Sequence, residues 1–304
     1  MIGSKRTSTW RQYNSYITRW EKYCEDQHLN AVHTDLISVL TFLHSLKSSG
    51  LSYSSVNTAK AALATCVILD GDKPLGLIPD VQQYMKGLFN VNPPQPKYDR
   101  IWDADIVLKW MLQRELPHLS HTVILTQKLA LLILLTTGQR PSILTALRLS
   151  RMHKTPDTIS FDILLSEVKQ GRQGYQPPKV VLRTYDDKKL CVVTHLLTYL
   201  DRTKSFRGNS DRIFLTTKKP YGEASLNSIS RWIKQMLKAT GIDVRVFGAG
   251  STRAASTSKA AEQGASLDVI MASAGWTQSS TFAKFYNKPI LPAEELGSFI
   301  LPKK

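Results

Sequence analysis

From residue 140 onward, the sequence contains five residues whose types suit phosphoryl-transfer chemistry. Two arginines, Arg140 in TTGQRPS and Arg253 in GSTRAAST, could clamp both non-bridging oxygens of a phosphodiester, because a planar guanidinium stays ionised and binds two oxygens at once. Tyr286 in FAKFYNK offers a nucleophilic hydroxyl, and Lys169 in SEVKQGRQG an ammonium that could protonate a leaving 5′-oxygen. Trp276 could only hold a phosphoryl oxygen, since its indole N–H is a donor. Together these residues predict phosphodiester cleavage that needs no metal and no nucleotide cofactor.

A neutral phenol is a weak nucleophile, so Tyr286 needs cationic neighbours or a base before it can attack phosphorus. Attack would leave a covalent 3′-phosphotyrosine, which keeps the bond energy for religation. Each residue alone also has a simpler interpretation. An arginine is usually a solvated surface charge, and Trp276 or Tyr286 could be a packed aromatic of the core. The prediction therefore depends on the combination of residues and on their order.

Composition favours a polyanionic partner. The 304 residues include 40 Lys and Arg against 24 Asp and Glu, a formal net charge of +16 that is spread along the whole chain. Cys24, Cys66 and Cys191 are odd in number and lack CxxC spacing, which argues against a disulfide framework or a zinc site and favours an intracellular protein. The apolar run LALLILL at 129–135 is too short for a membrane span and predicts a buried helix.

The elements that must position these residues are mostly helical, and they predict two domains. Apolar periodicity and capping residues indicate four helices in residues 1–91. Thr34 is the expected N-cap of the second, the third is expected from about 54 to 69, and Pro79 opens the last. Three prolines in NPPQPKY indicate a linker over residues 92–100. Residues 101–304 predict a larger domain in which Asp103 caps one helix and Gly138 ends another.

A small antiparallel sheet is the only β-structure that the sequence predicts. Alternating apolar residues from 158 onward and β-branched residues at 180–185 indicate two strands joined by the polar stretch KQGRQGYQPP, which contains Lys169. A third strand is predicted at 212–216. The expected fold class is therefore mostly α with a small antiparallel β-sheet.

The order and context of these residues resemble the tyrosine recombinase (phage integrase-like) family, and within it the recombinases of DIRS-type retrotransposons. The motifs that carry the resemblance are TGQR, the lysine after a strand, GSTR, AGW at 274–276 and FAKFYNK. The resemblance covers nearly the whole chain and implies a helical core-binding domain at 1–91 and a catalytic domain at 101–304. It assigns catalytic roles to Arg140, Lys169, Arg253, Trp276 and Tyr286.

This sequence departs from the family pattern at two positions. Gly250 stands where the family usually has a histidine, three residues before Arg253, so Lys169, a water molecule or a hydroxyl such as that of Ser251 would have to take the tyrosine proton. Ile143 stands where many relatives carry an acid that orients the first arginine.

The resemblance further implies a C-shaped clamp around double-stranded DNA and a homotetramer on two DNA sites. The apolar segment 290–302 is a candidate oligomer contact, although it could equally fold onto its own domain. Similarity to eukaryotic elements predicts a nuclear location. The leading prediction is a recombinase that integrates or excises a mobile element's DNA. The alternatives are a DNA-binding protein of recombinase descent that no longer cleaves, and a type IB topoisomerase. No RNP-type motif supports RNA binding.

Overall fold

The computed structural model describes residues 6–69, 73–168, 174, 177 and 179–291, without the side chains of residues 281, 284, 285 and 291. The chain forms two compact units, Met1–Pro96 and Lys97–Lys304. The division falls inside the predicted linker, but the DNA-binding and catalytic roles of the units stay predictions. Among the described helices, none combines the length and apolar character needed to cross a membrane.

The first unit is helical, as the sequence predicts. Its described helices are α1 (Thr7–Asp26), α2 (Leu36–Ser48), α3 (Tyr53–Leu63) and α4 (Pro79–Val91), with a 3-10 turn at Leu75–Leu77. Their apolar faces enclose a core around Trp20, Leu43 and Val56.

Two details of this unit differ from the prediction. The N-cap of α2 is Asp35 and not Thr34, because the Asp35 carboxylate accepts a hydrogen bond from the amide of Ser38 at 2.8 Å. The third helix was expected to reach residue 69 but ends at Leu63. Beyond it the chain turns, and Ile68 pairs with His33 in an isolated parallel bridge.

The second unit contains the remaining helices. They are α5 (Ala104–Leu112), α6 (Thr122–Thr137), α7 (Val192–Thr203), α8 (Leu226–Ala239), α9 (Ser251–Glu262), α10 (Leu267–Ala274) and α11 (Ser279–Phe285). The apolar helix α6 is buried along most of its length and forms the centre of the core. Two predicted helix borders in this unit are confirmed: Asp103 caps α5, and Gly138 ends α6 in the left-handed conformation.

A three-stranded antiparallel sheet joins β2 (Met152–Lys154), β3 (Thr158–Phe161) and β4 (Val180–Arg183) in the order β2-β3-β4. The two strands predicted within 158–185 are confirmed. The third strand was wrongly predicted at 212–216. That segment forms only isolated bridges, Arg148 with Arg212 and Leu215 with Glu223, because its two ends pair with different parts of the chain.

The chain just past Tyr286 returns to the start of the second unit. There β1 (Ile101–Trp102) and β5 (Ile290–Leu291) pair in parallel, and the Ile101 amide donates to the Pro289 carbonyl at 2.8 Å. Within the candidate oligomer segment 290–302, the described residues thus pair within their own unit, and residues 292–302 lie outside the described part. The predicted fold class, mostly α with a small antiparallel sheet, is confirmed.

Candidate active site

The loop that carries Arg140 begins where α6 ends. Gly138 has φ of 62°, and its amide donates to the Leu134 carbonyl at 3.0 Å, so the chain leaves the helix in a left-handed turn. The next residue, Gln139, is buried and donates from its side-chain amide to the Ser273 carbonyl at the end of α10. Arg140 then precedes the 3-10 helix Pro141–Thr145 and is half-buried. Its side chain makes no hydrogen bond or ion pair with a described residue, which leaves the guanidinium available to a ligand.

Arg253 reaches the same loop from α9. The side chain is buried, with 1% exposed, and its Nη1 donates to the Gly138 carbonyl at 2.9 Å. The hydroxyl of Ser256, one turn further along α9, donates to the Leu135 carbonyl. Helix α9 is thus fastened to the end of α6, and the two candidate clamp arginines come from segments that meet at Gly138.

Two aromatic rings pack beside the Arg253 guanidinium. Its Cζ lies 4.1 Å from the ring centre of Trp276 and 5.2 Å from that of Tyr286, both within the range of a cation–π interaction. The two ring centres are 4.7 Å apart. Three of the five predicted residues therefore form one cluster.

The backbone of Tyr286 is held by a serine that sequence reasoning missed. Ser258, on α9, donates from its hydroxyl to the Tyr286 carbonyl at 2.7 Å and accepts from the Lys288 amide at 3.0 Å. The Tyr286 amide donates to the Phe282 carbonyl at 2.9 Å, at the end of α11. The only available signal was the series of small polar residues in STRAASTSKA, which allows other segments to approach α9 closely.

The indole N–H of Trp276 is buried and has no acceptor among the described residues. The residue as a whole is 5% exposed. A buried donor left unsatisfied costs about 1–3 kcal/mol. A phosphoryl oxygen bound in the cluster would satisfy it, which agrees with the role predicted for this residue.

Lys169 lies outside the described residues, so its predicted role as the acid stays a prediction. The flanking structure agrees with the expected connection between two strands, since β3 ends at Phe161 and β4 begins at Val180 in antiparallel pairing. Ile143 is buried in the core and supplies no acid to orient Arg140.

The surroundings of Gly250 bear on the missing histidine. Gly250 is exposed, and a Cβ added there would have no heavy atom within 4 Å. The hydroxyl of the next residue, Ser251, is buried and doubly engaged: it donates to the Gly248 carbonyl at 2.7 Å and accepts from the Trp102 indole at 2.9 Å. These two bonds disfavour Ser251 as the base that takes the tyrosine proton.

A second phenol stands near Tyr286. Burial raises the pKa of Tyr98, and the nearby Tyr286 raises it further, so Tyr98 is neutral at physiological pH. The ring of Tyr98 packs on Phe247, with 5.4 Å between the ring centres. The segment that opens the second unit therefore comes near Tyr286.

Residues 109–290 match the phage integrase family, and this range contains all five predicted site residues. Because the match covers more than half of the chain, the protein belongs to the phage integrase family. Membership in this family supports site-specific DNA recombination and tyrosine recombinase activity. No protein with a curated description matches the sequence.

Solved structures with the same fold include DNA-bound recombinases. The Tn1549 transposon integrase in complex with transposon right end DNA is 15% identical, with a TM-score of 0.59, and the match covers 98% of this chain and 93% of that chain. A lambda integrase dimer bound to a COC′ core site is 15% identical, with a TM-score of 0.56 and coverage of 97% and 93%. A lambda integrase tetramer bound to a Holliday junction is 17% identical, with a TM-score of 0.51 and coverage of 92% and 72%. At these identities the similarity shows the fold alone.

Proposed function

We propose that the protein is a site-specific recombinase that integrates or excises the DNA of a mobile element through a 3′-phosphotyrosine on Tyr286. The observation that carries this proposal is the cluster in which the Arg253 guanidinium lies over the rings of Trp276 and Tyr286 while bonding the loop that leads to Arg140. This arrangement puts the ring of the candidate nucleophile beside a buried positive charge, and cleavage of a phosphodiester without a metal requires such a charge near the nucleophile.

In the proposed reaction, Arg140 and Arg253 hold the non-bridging oxygens of the scissile phosphate, and the Trp276 N–H donates to one of them. The Tyr286 hydroxyl gives its proton to a water molecule as its oxygen attacks phosphorus, a P–O bond to tyrosine forms and the bond to the 5′-oxygen breaks. Lys169 gives a proton to that 5′-oxygen. The reverse reaction with a different 5′-hydroxyl rejoins the strand.

The finer parts of the proposal depend on sequence motifs and on related proteins. The phrases STRAAST and STFAKFYNK favour a recombinase like those of DIRS-type retrotransposons. Homotetramer assembly on two DNA sites is supported by the lambda integrase tetramer bound to a Holliday junction, which has this fold. Resemblance to eukaryotic elements and the charge of +16 favour the nucleus.

The test is a covalent adduct assay. The protein first selects its binding site from a random duplex library, and nicked duplexes that carry the selected site are then incubated with the wild type and with Tyr286→Phe. We expect a denaturant-resistant adduct with the wild type and none with the variant, at nearly equal DNA affinity. An adduct that persists in Tyr286→Phe would exclude Tyr286 as the nucleophile.

A second candidate function is DNA binding without cleavage, and Gly250 is the observation that favours it. The position offers no side chain to take the tyrosine proton, and the space in front of it is open. Tight and specific DNA binding by the wild type with no adduct would support this second candidate.

A further inference from the structure

Two lysine side chains from distant parts of the sequence meet over Gly248. Lys97 Nζ lies 3.9 Å, and Lys234 Cε 4.0 Å, from the position that a Cβ on this glycine would occupy. Lys97 belongs to the segment that opens the second unit, and Lys234 to α8. Both residues are exposed, and the bare backbone of Gly248 lets both side chains extend over it.

Neither of these lysines forms an ion pair with a described residue. Lys259, on α9, is different, because its ammonium lies within 3.5 Å of carboxylate oxygens of Asp103, Asp105 and Glu262. Two lysine ammonium groups that lie close together without a carboxylate between them repel each other. A bound anion would turn that repulsion into attraction.

Lys234 also lines an open depression of about 560 Å³. Its walls include Arg231 and Lys238 from the same face of α8 as Lys234, together with the neutral donors Asn227 and Ser230. Gly250 forms part of its floor and adds no side chain. The lining therefore combines cationic and neutral hydrogen-bond donors around an open space, and no acidic residue is among the described lining.

The depression lies close to the candidate active site. The amide of Ser251 donates to the Gly248 carbonyl at 2.9 Å, and α9 continues directly to Arg253. Lys97 precedes Tyr98, which is near enough to Tyr286 for the two phenols to interact electrostatically. A DNA strand whose scissile phosphate lay between Arg253 and Tyr286 would have further backbone phosphates on either side.

We propose that Lys97 and Lys234 bind a backbone phosphate of the DNA substrate over Gly248, beside the depression that Lys234 and Gly250 line. This inference rests on the proposed function in one respect, namely that the substrate is DNA. The ligand is a single phosphodiester, and the two ammonium groups donate charge-assisted hydrogen bonds to its non-bridging oxygens. Arg140 and Arg253 remain available for the scissile phosphate.

The experiment pairs protein variants with DNA in which one phosphate at a time is replaced by an uncharged methylphosphonate. All proteins carry Tyr286→Phe, so that binding is measured without cleavage, on the site that the protein selects. On native DNA, Lys97→Ala and Lys234→Ala should each weaken binding about tenfold, the effect of one charge-assisted hydrogen bond. At one methylphosphonate position, the proteins with lysine and with alanine should bind equally well. The uncharged group there no longer offers the charged oxygen that the lysine contacts, so removing the lysine has no further effect.

Lys204→Ala is the matched control, since it removes one exposed lysine of the same unit outside the depression. Its effect on binding should not disappear at the methylphosphonate position where the effects of Lys97→Ala and Lys234→Ala do. If the lysine variants weaken binding equally at every position, as this control does, then they contribute only general charge and the proposed site does not exist.

Gly250→Asp and Gly250→Asn give a second test with side chains of the same shape. Both residues cap helices well, so α9 should stay folded, which thermal unfolding checks. The aspartate should weaken binding much more than the asparagine, because its carboxylate would pair with Lys234, which lines the same depression as residue 250. Equal binding by the two variants would overturn the proposal.

The failure of this inference and that of the proposed function are distinguishable. If the effects of the lysine variants disappear at one methylphosphonate position but the wild type forms no adduct, cleavage is refuted and the lysine site is supported. If the wild type forms an adduct but the effects of the lysine variants disappear at no position, the recombinase function is supported and the lysine site is refuted. The phosphate at which the lysine effects disappear should be a neighbour of the one in the adduct, and their disappearance at the scissile phosphate itself would refute the proposed lysine site.

Discussion

At the scale of single residues, the two candidate clamp arginines are held in different ways. Arg253 is buried, bonds the Gly138 carbonyl and stacks against two aromatic rings, so it supports the packing as well as any bound phosphate. Arg140 is half-buried and makes no hydrogen bond or ion pair with a described residue. The same type of substitution should therefore have different consequences at the two positions.

We expect Arg140→Ala to reduce adduct formation by two orders of magnitude or more, a cost of roughly 3 kcal/mol in the transition state, as for the loss of one oxyanion donor. Its melting temperature should stay near that of the wild type. Arg253→Ala should lose the adduct and also melt at a lower temperature. Adduct kinetics and thermal unfolding of both variants check this, and cleavage by Arg140→Ala at the wild-type rate would exclude Arg140 from the clamp.

At the scale of elements, the site depends on the joint between the end of α6 and the start of α9. Glycine is needed at position 138 for two reasons: the backbone has a positive φ, and there is little space for a side chain. A Cβ added at Gly138 would lie 3.0 Å from Thr257 Cγ2 and 3.7 Å from Ala274 Cβ. The carbonyl that receives Arg253 belongs to the same residue. A displacement here would therefore reach both arginines.

Gly138→Ala should lower the free energy of unfolding by about 2–5 kcal/mol, the sum of left-handed strain and overpacking, and should also slow adduct formation. Gly264→Ala is the matched control. Gly264 has φ of +84° and follows α9, but nothing lies within 4 Å of its added Cβ. The control should cost only about 1–2 kcal/mol and leave the adduct rate unchanged. Equal losses of stability in the two variants would show that close packing at Gly138 contributes nothing.

A second prediction at this scale concerns His195 on α7, whose side chain is fully buried. Its Nδ1 lies 2.9 Å from the Cys191 carbonyl, which can only accept, so Nδ1 carries the proton of the neutral ring. Its Nε2 has no partner among the described residues. Burial lowers the pKa of His195 to about 4, and the nearby Lys128 acts in the same direction.

His195 has a pKa of about 6.5 in the unfolded chain and of about 4 in the folded chain, so the unfolded chain binds the proton more readily. Stability from this residue is therefore fully present above pH 6.5 and falls by roughly 2 kcal/mol between pH 6.5 and pH 5. Urea unfolding across this range should show a smaller loss in His195→Gln, which keeps a donor for the carbonyl but does not titrate. Equal losses in the wild type and the variant would contradict the assignment.

At the scale of the whole molecule, the chain combines two units with separate cores and an excess of basic residues. One core surrounds Trp20 in the first unit, and the other surrounds α6 in the second. The net charge of +16 has the sign that a DNA partner requires. The C-shaped clamp remains a prediction, and it requires that basic residues of both units contact phosphates.

DNA affinity should accordingly fall steeply as salt concentration rises, because each phosphate contact releases a counterion. With several contacts from each unit, a plot of log affinity against log salt should have a slope of magnitude about 5 or more. The fragment 97–304 should show a smaller slope than the full chain, and circular dichroism would show whether the fragment is folded. A nearly flat dependence in the full chain would contradict the clamp.

The sequence by itself determined the features that depend on neighbours along the chain. Apolar periodicity located the helices, Asp103 and Gly138 marked their borders, and residue chemistry selected Arg140, Arg253 and Tyr286 as candidates. Local signals also misled where pairing is not local. The segment 212–216 looked like a strand, whereas β2 in MHK lacks the apolar alternation that would have indicated one.

Only the tertiary structure decided which of these residues meet. Arg253 bonds a carbonyl 115 positions earlier, and Ser258 bonds one 28 positions later. Lys97 and Lys234 likewise converge on Gly248 from separate segments. The physical reason is that such contacts follow from how α6, α8 and α9 pack around one core. That packing minimises exposed apolar surface over the whole unit. The periodicity of one segment shows which face is buried but not which other segment covers it.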